Sequence, residues 1–362
     1  MIWPHSSVES CEYWLLVYRI LLPALGIDVL LIRTEYQWED VVPSYSSVRN
    51  PQTTRPRTPV VNPLDRYGDL VDDEAAFRAA CDRPLPQVVR VNTLAADADQ
   101  VVAAFDEAGV AYEQVAWHDG LFRMPGGSPG TTWPYVHGWV HGQEEVSALP
   151  ALALDPEPGE IVWDACAAPG SKTSHVAARM DDRGTLVAND SNLGRLSALR
   201  HNAERLGLTN LVVTNRDARN YSLREFEFDT FDRVLVDAPC SCEGTIRKNP
   251  DAHETWSLDH VHDIAGVQRD VLRRAVQATR PGGRVVYATC TFAPEENEAV
   301  VDHALDTEDC ELVEWDAPLE SRPGVTEWQG ETFDSTLERA HRVYPHLNDT
   351  GGFFLAVLEV GA

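Results

Sequence analysis

The sequence predicts an α/β protein, a doubly wound parallel sheet preceded by a smaller α/β unit. Three observations carry this. From residue 144 onward, short apolar runs alternate with amphipathic stretches, the rhythm of repeated β-α units in a parallel sheet. Two of those runs, R-V-L-V-D-A-P-C and G-R-V-V-Y-A-T-C, finish at cysteines, Cys240 and Cys290. A third, I-V-W-D, opens into a small-residue loop, A-C-A-A-P-G-S-K-T, that closes at Thr173. Ligands and chemistry sit beyond the carboxyl ends of the strands in such sheets. Two thiols, the acid Asp237 and the loop are therefore expected in one crevice.

The strands expected from apolar, β-branched runs are Ile161–Asp164, Thr185–Asn189, Leu211–Thr214, Arg233–Asp237 and Arg284–Ala288. Helical periodicity predicts helices over Lys172–Met180, Leu193–Leu206 and His260–Thr279. Pro281–Gly283 reads as the turn into the strand that carries Cys290, and T-G-G-F-F-L-A-V-L-E-V as a last strand. Upstream, Glu74–Ala80 is expected to be helical and Val88–Leu94 to be a strand. Asp99–Ala108 is an amphipathic helix stopped by Gly109. Short strands follow at Ala111–Val115 and Leu121–Arg123. A compact sheet with two helices is a common RNA-binding shape.

The expected division is thus 1–58, 59–143 and 144–362. Residues 1–58 look unlike the rest. Trp14–Ile32 is nearly continuous in apolar residues, but Arg19, Pro23 and Asp28 interrupt it and no basic segment precedes it. It makes a poor signal peptide and a poor membrane span. The Ser/Thr/Pro-rich stretch after it reads as a linker or disordered segment. An over-extended start of the reading frame is the expectation, with the working protein beginning near Val60.

Asp and Glu total 57 against 30 Lys and Arg, a net charge of −27. Only two of the 30 are lysines, Lys172 and Lys248. Acid-rich, lysine-poor composition suits a cytosol of high salt, where screening relieves self-repulsion, and points to a halophilic archaeon. The scarcity of lysine also implies that the two survivors have specific tasks. Seven cysteines in no spaced framework fit a reducing cytoplasm. No resident metal is expected: there is no C-x-x-C, and His137 and His141 lack cysteine partners. A monomer without membrane attachment is expected.

The loop after I-V-W-D is neither G-x-G-x-x-G nor a Walker loop. Small residues there let backbone N–H groups approach a ligand at a helix N-terminus. Asp190, ending the next strand, is placed to accept from a ribose diol, and Asp217, after the third, to meet an adenine amino group. Two acid contacts without a diphosphate cradle suit S-adenosylmethionine better than NAD. Either acid alone reads equally well as a helix N-cap.

A thiolate adding to position 6 of cytosine makes position 5 enamine-like, able to attack a sulfonium methyl; this covalent catalysis splits one hard step into two. Asp237 is placed to engage the base at N3 and its exocyclic amine, with Lys172 orienting it. A second thiol can assist when the first is eliminated. Cys81, Cys166, Cys242 and Cys310 read as packing cysteines.

The set D-A-C-A-A-P-G-S-K-T, V-D-A-P-C-S, I-R-K-N-P, Y-A-T-C-T and P-E-E-N-E resembles the RsmB/NOL/NOP/Sun family of RNA 5-methylcytosine methyltransferases. The resemblance runs from about Asn62 to the C-terminus and includes R-V-N-T-L and H-G-Q-E-E-V-S-A-L-P. It implies a class I, Rossmann-like methyltransferase fold. It implies that Cys290 is the nucleophile, that Cys240 assists product release and that Asp237 holds the base. Cys166, Ala167, Ala168, Pro169, Gly170, Ser171 and Lys172, with Asp190, Asp217 and Asp237, would bind S-adenosylmethionine, and Arg195 would border that pocket. R-K-N-P-D-A-H-E-T-W and P-H-L-N-D-T-G-G-F-F are most similar to the tRNA-modifying branch, with rRNA as the alternative. The family usually carries Gly at Ser171 and Ser-Gly at Ser241-Cys242, so an extra thiol lies beside Cys240.

A DNA cytosine methyltransferase would use the P-C cysteine and need no Cys290. A dehydrogenase would need the glycine fingerprint. A non-catalytic RNA-binding protein would not need the two thiols and Asp237. RNA phosphates require cations, and on so acidic a chain a local strip of Arg66, Arg90, Arg247 and Lys248 is expected to supply them.

Overall fold

The computed structural model describes residues 62–250 and 256–361. The expectations for residues 1–58 lie outside them. Residues 59–362 form one compact unit. No helix among the described residues is long and apolar enough to cross a membrane.

A small antiparallel sheet comes first, built from β1 (Val88–Val91), β2 (Glu113–Gln114), β3 (Leu121–Arg123) and β4 (Val140–Gly142) in the order β2-β3-β1-β4. Two helices accompany it, α1 (Glu74–Cys81) and α2 (Ala98–Ala108). A reciprocal capping box fixes the start of α2: Gln100 N–H donates to Asp97 and Asp97 N–H donates to Gln100. Its end is set by Gly109 in the left-handed region, φ 64°. Its apolar face, Val101 and Phe105, packs on Val89, Val91 and Phe122 of the sheet. Helix α1 packs elsewhere: Phe77 and Cys81, with Leu64 and Tyr67, meet Ile246, Phe292 and Tyr344 beside the cysteine loops.

The large sheet contains five parallel strands: β5 (Ile161–Asp164), β6 (Thr185–Asn189), β7 (Leu211–Thr214), β8 (Phe231–Asp237) and β9 (Thr279–Thr289). Three edge pieces, β10 (Cys310–Leu312), β11 (Arg322–Pro323) and β14 (His341–Val343), and the long β15 (Phe353–Val360) extend it; β12 (Glu327–Trp328) and β13 (Glu331–Thr332) pair separately. The order is β11-β14-β15-β9-β8-β5-β6-β7, with β15 antiparallel to β9. Helices α3 (Leu149–Leu154), α4 (Ser171–Arg179), α5 (Leu193–Leu206), α6 (Leu258–Ala278) and α7 (Glu298–Thr307) complete the frame.

Side chains alternate across the sheet, and both faces are covered. Trp163, Val234, Val236, Val285 and Tyr287 join the core beneath α6 and α7. Val162, Leu235, Val286 and Ala288 join the opposite core beneath α3 and α4. That is why these strands read as continuous apolar runs. The chain proceeds outward from β5 to β6 and β7, then returns to β8 beside β5. The switch point therefore lies between β5 and β8, where a crevice opens.

One expected turn is different. Thr279 pairs with Phe231 and Arg284 with Arg233, so the intervening Pro-Gly-Gly segment is a bulge within β9. Gly283 allows it, because a Cβ there would meet the Asp232 carbonyl oxygen at 2.7 Å.

The Arg342 side chain of β14 is 2% exposed and its partner Glu298 is fully buried; Arg342 Nε donates to Glu298 at 2.6 Å and Nη1 to the Phe292 carbonyl at 3.0 Å. Arg342→Met would leave the carboxylate buried without its cation. A loss of about 3–5 kcal/mol in unfolding free energy is expected by urea titration; a change near zero would contradict the pair's structural role.

Candidate functional site

Strands β5 and β8 end in acids on either side of the switch point, Asp164 and Asp237. Lys172, on the first turn of α4, reaches Asp237 with Nζ 2.8 Å from Oδ2. Burial works against the lysine's charge, but Asp237 outweighs it and holds the ammonium pKa above its usual value. Asp164 is deeper, 1% exposed, and accepts from Thr173 Oγ1 at 2.7 Å. Burial pushes its carboxyl up to about 7, against the pull of the Thr173 hydrogen bond. Its other oxygen has no partner among the described residues.

The loop from Cys166 to Lys172 follows β5 and turns into α4. Ala167 N–H donates to the Asn189 carbonyl and Ala168 N–H to Asp190 Oδ2, so the loop is pinned to the end of β6. The Ala168–Pro169 peptide is cis. Gly170 adopts φ 101°, and a Cβ there would meet Leu199 Cδ1 at 2.7 Å, so only glycine lets the backbone pass. Ser171 Oγ lies 3.0 Å from His141 Nε2, and Cys166 is half-buried with its thiol pKa pushed up by burial. Asp190, 3% exposed, also pairs with Arg195 Nη1 at 3.1 Å, and Arg195 donates to the Ala168 carbonyl.

The two predicted ligand acids thus differ. Asp190 is buried against the loop, whereas Asp217 is exposed, caps a short 3-10 helix through Arg219 N–H and pairs with the Arg219 guanidinium at 2.7 Å. Both stand beyond the ends of neighbouring strands, β6 and β7. The donor set fits S-adenosylmethionine. A strand-end acid faces the loop for a diol, a helix N-terminus follows, and Asp164 keeps a buried oxygen without a partner beside a lysine-acid pair.

The two strand-end thiols meet. Cys240 Sγ and Cys290 Sγ are 3.2 Å apart, held by parallel pairing of β8 with β9. Cys242, read from sequence as packing, joins them with Sγ 3.7 Å from Cys240 Sγ. It sits in the left-handed region at φ 65°, a conformation that favours glycine. Hydrogen bonding with the other two thiols, chiefly Cys240, pulls the Cys242 pKa down, and as a thiol Cys242 donates to the Cys240 carbonyl at 3.1 Å. Donation to Cys242, then to Cys290, pushes Cys240 up. Cys290 is drawn down by Cys240, but Cys242 and burial together leave it raised.

A network that the sequence reading missed clamps the two cysteine loops together. Glu296, fully buried, accepts from Ser241 N–H at 3.0 Å and from Gln268 Nε2 at 2.8 Å, and also from Ser241 Oγ. Glu243, 2% exposed, accepts from Tyr67 OH at 2.7 Å, Trp256 Nε1 at 2.6 Å and Thr291 Oγ1 at 2.6 Å. P-E-E-N-E was the signal for Glu296, but acids in a charged motif suggest surface, not core. Below the clamp, Gly244 N–H donates to the Cys290 carbonyl and Gly352 N–H to the Gly244 carbonyl. A Cβ on Gly244 would meet the Gly352 oxygen at 2.4 Å.

The expected cationic strip is corrected by burial. Arg90 is 2% exposed, donating to Gln143, Ser174 and the Val91 carbonyl. Arg247 is 6% exposed, spending its guanidinium on Asp349 and the carbonyls of Arg83, Pro84 and Thr350. Arg66 pairs with Glu295 at 2.6 Å among the rings of Tyr67, Trp256 and Trp328. These three hold the fold together and offer no charge to phosphate; of the four, Lys248 alone is exposed. His137 and His141 do not converge either: His141 is buried between Ser171 and Arg205, and burial lowers its pKa to about 3.

A family profile described as 16S rRNA methyltransferase RsmB/F matches residues 151–359. A tRNA (cytosine(49)-C(5))-methyltransferase of Pyrococcus abyssi is 36% identical over 82% of this chain and 94% of that protein. Ribosomal RNA small subunit methyltransferase F of Shewanella loihica is 37% identical over 78% of this chain but only 58% of its own length. A methyltransferase homolog from Pyrococcus horikoshii superposes with a TM-score of 0.72 at 33% identity, covering 82% of this chain and 93% of that one.

The clamp predicts a pH dependence. Burial, then the nearby Glu243 charge, pushes the Glu296 carboxyl from 4.5 up to about 8. Between those values the folded chain keeps a proton that the unfolded chain has lost. The group therefore favours the fold most below pH 4.5, and its contribution falls as pH rises toward 8. Glu296→Gln cannot ionise and is expected to flatten the stability curve across that window, removing a slope of up to about 1.4 kcal/mol per pH unit. Urea titrations of both proteins across it provide the check; identical slopes would contradict the assignment.

Proposed function

The chain belongs to the RsmB/F family of S-adenosylmethionine-dependent RNA cytosine-5 methyltransferases, and from that premise we propose that it forms 5-methylcytosine in tRNA through a covalent bond between Cys290 and the target base. The observation that carries this reading is the 3.2 Å approach of the Cys290 and Cys240 sulfurs beside the Asp237–Lys172 pair.

In this reading Cys290 gives up its proton to solvent and its thiolate adds to C6 of cytosine. Asp237, held by Lys172 through one oxygen, shares a proton with N3 and so neutralises charge on the ring as the sulfur–carbon bond forms. C5 then takes the methyl group that S-adenosylmethionine, when bound, presents as an electrophilic sulfonium. Cys240, its own proton lost to solvent, removes the C5 proton as a thiolate, the sulfur–C6 bond breaks and Cys290 departs as thiolate. Asp190 and the Cys166–Lys172 loop, with Arg195 bordering them, are the proposed cofactor contacts; Asp217 would have to exchange Arg219 for the ligand. The small β1–β4 sheet is proposed to help place the RNA. Free thiols this close together suit the reducing cytoplasm.

Transfer RNA is favoured by the P. abyssi relative, which this chain matches over nearly its whole length. The rRNA enzymes extend well beyond the matched part. Bisulfite sequencing of total RNA from a strain lacking the protein tests this: loss of a cytidine mark in tRNA is expected, and loss confined to small-subunit rRNA would overturn it.

Cys290→Ala is expected to abolish methyl transfer while S-adenosylmethionine binding, measured by calorimetry, stays within about threefold. Cys240→Ala is expected to accumulate a denaturant-resistant protein–RNA adduct. An adduct appearing only in the Cys290 variant would reverse the two roles.

A further inference from the structure

Cys242 is the thiol that the proposed reaction does not use. It is also the one that departs from the Ser-Gly expected at this place, and it holds a left-handed backbone to put its sulfur where it is. The result is three sulfurs, from Cys240, Cys242 and Cys290, all within 4.8 Å of one another. Two come from a C-x-C turn after β8 and the third from the end of β9, so the backbone frame is fixed by strand pairing before any ligand arrives.

A zinc–thiolate bond of about 2.3 Å places tetrahedrally disposed sulfurs about 3.8 Å apart. Cys240 and Cys242 already stand at 3.7 Å, and Cys240 and Cys290 would have to open from 3.2 Å. For these two pairs the movement is a fraction of an ångström in half-buried side chains, and Cys242 and Cys290 lie within 4.8 Å. As a thiol Cys242 donates to the Cys240 carbonyl at 3.1 Å, a hydrogen bond that it gives up when it deprotonates onto the metal. Three thiolates and a divalent ion leave one negative charge.

We propose that Cys240, Cys242 and Cys290 form a three-thiolate site for a thiophilic d10 cation, zinc(II) being the probe, with the fourth position open to solvent. Each thiol that binds gives up its proton to solvent, so uptake releases protons and strengthens as pH rises. Occupation ties up Cys290 and Cys240 and stops methyl transfer until the metal is removed. That consequence rests on the role proposed for Cys290; metal uptake itself does not. Sequence spacing points away from metal here because it looks for C-x-x-C, and the third ligand lies 48 positions beyond Cys242 in the chain.

The test uses the full chain, reduced and freed of metal, titrated with zinc(II) against a chromophoric chelator, and with cobalt(II) for its thiolate charge-transfer absorption. One equivalent per chain is expected, with the cobalt band. Cys242→Ser is expected to weaken zinc at least tenfold and diminish the band, whereas Cys310→Ser changes neither. Cys242→Gly, which suits the positive φ, guards against misfolding and should match the serine variant. Undiminished affinity in both Cys242 variants, or no cobalt–thiolate band in the parent chain, would overturn the site. Activity assays with and without chelator follow separately: zinc bound at the three thiols without inhibition would count against the role of Cys290 and leave the site standing.

Discussion

Everything at the crevice depends on two carboxylates sunk beneath it. Glu243 and Glu296 have no arginine or lysine among their hydrogen-bond partners; they are satisfied by hydroxyl, amide and indole donors alone. Burying two acids side by side is costly unless every lone pair is met and one group keeps its proton. Here the donors come from five separated places in the chain: Tyr67, Ser241, Trp256, Gln268 and Thr291. The arrangement closes only when the segment before α1, the loop after β8, helix α6 and the loop after β9 are all seated. The spacing of Cys240 and Cys290 is inherited from that closure.

The scarcity of lysine takes on meaning in the same terms. Arginines carry the buried structural work. Arg90, Arg247 and Arg342 each reach several acceptors at once through a planar fork, which a lysine could not do. Lys172 does the opposite task, a single point charge on one carboxylate oxygen at the mouth of the crevice. Composition that looks like adaptation to salt thus also sorts cations by geometry.

How much was legible follows from which signals are local. Ile161–Asp164 and Thr185–Asn189 have the bounds expected from apolar runs, because strands buried on both faces have no alternative pattern to confuse them; Leu211–Thr214, partly exposed at the sheet edge, has them as well because its β-branched run is bounded by polar residues. Val140–Gly142 was hidden by its brevity, and Leu149–Leu154 by being apolar all round. The strand-end cysteines and Lys172–Asp237 were legible because parallel topology forces strand ends together. The buried arginines were misread because charge in a sequence suggests solvent, and only the folded chain shows that carbonyls and acids surround them. Cys242 was misread because a sulfur's neighbours 48 positions away are invisible to spacing.

Strand β15 lies inside the sheet, between β14 and β9, and the Gly352 that precedes it braces the loop holding Cys290. The spacing of two sulfurs 50 positions apart is thus underpinned by a strand more than 60 positions beyond the second of them, so a lesion in β15 would be felt as lost chemistry before it was felt as lost shape.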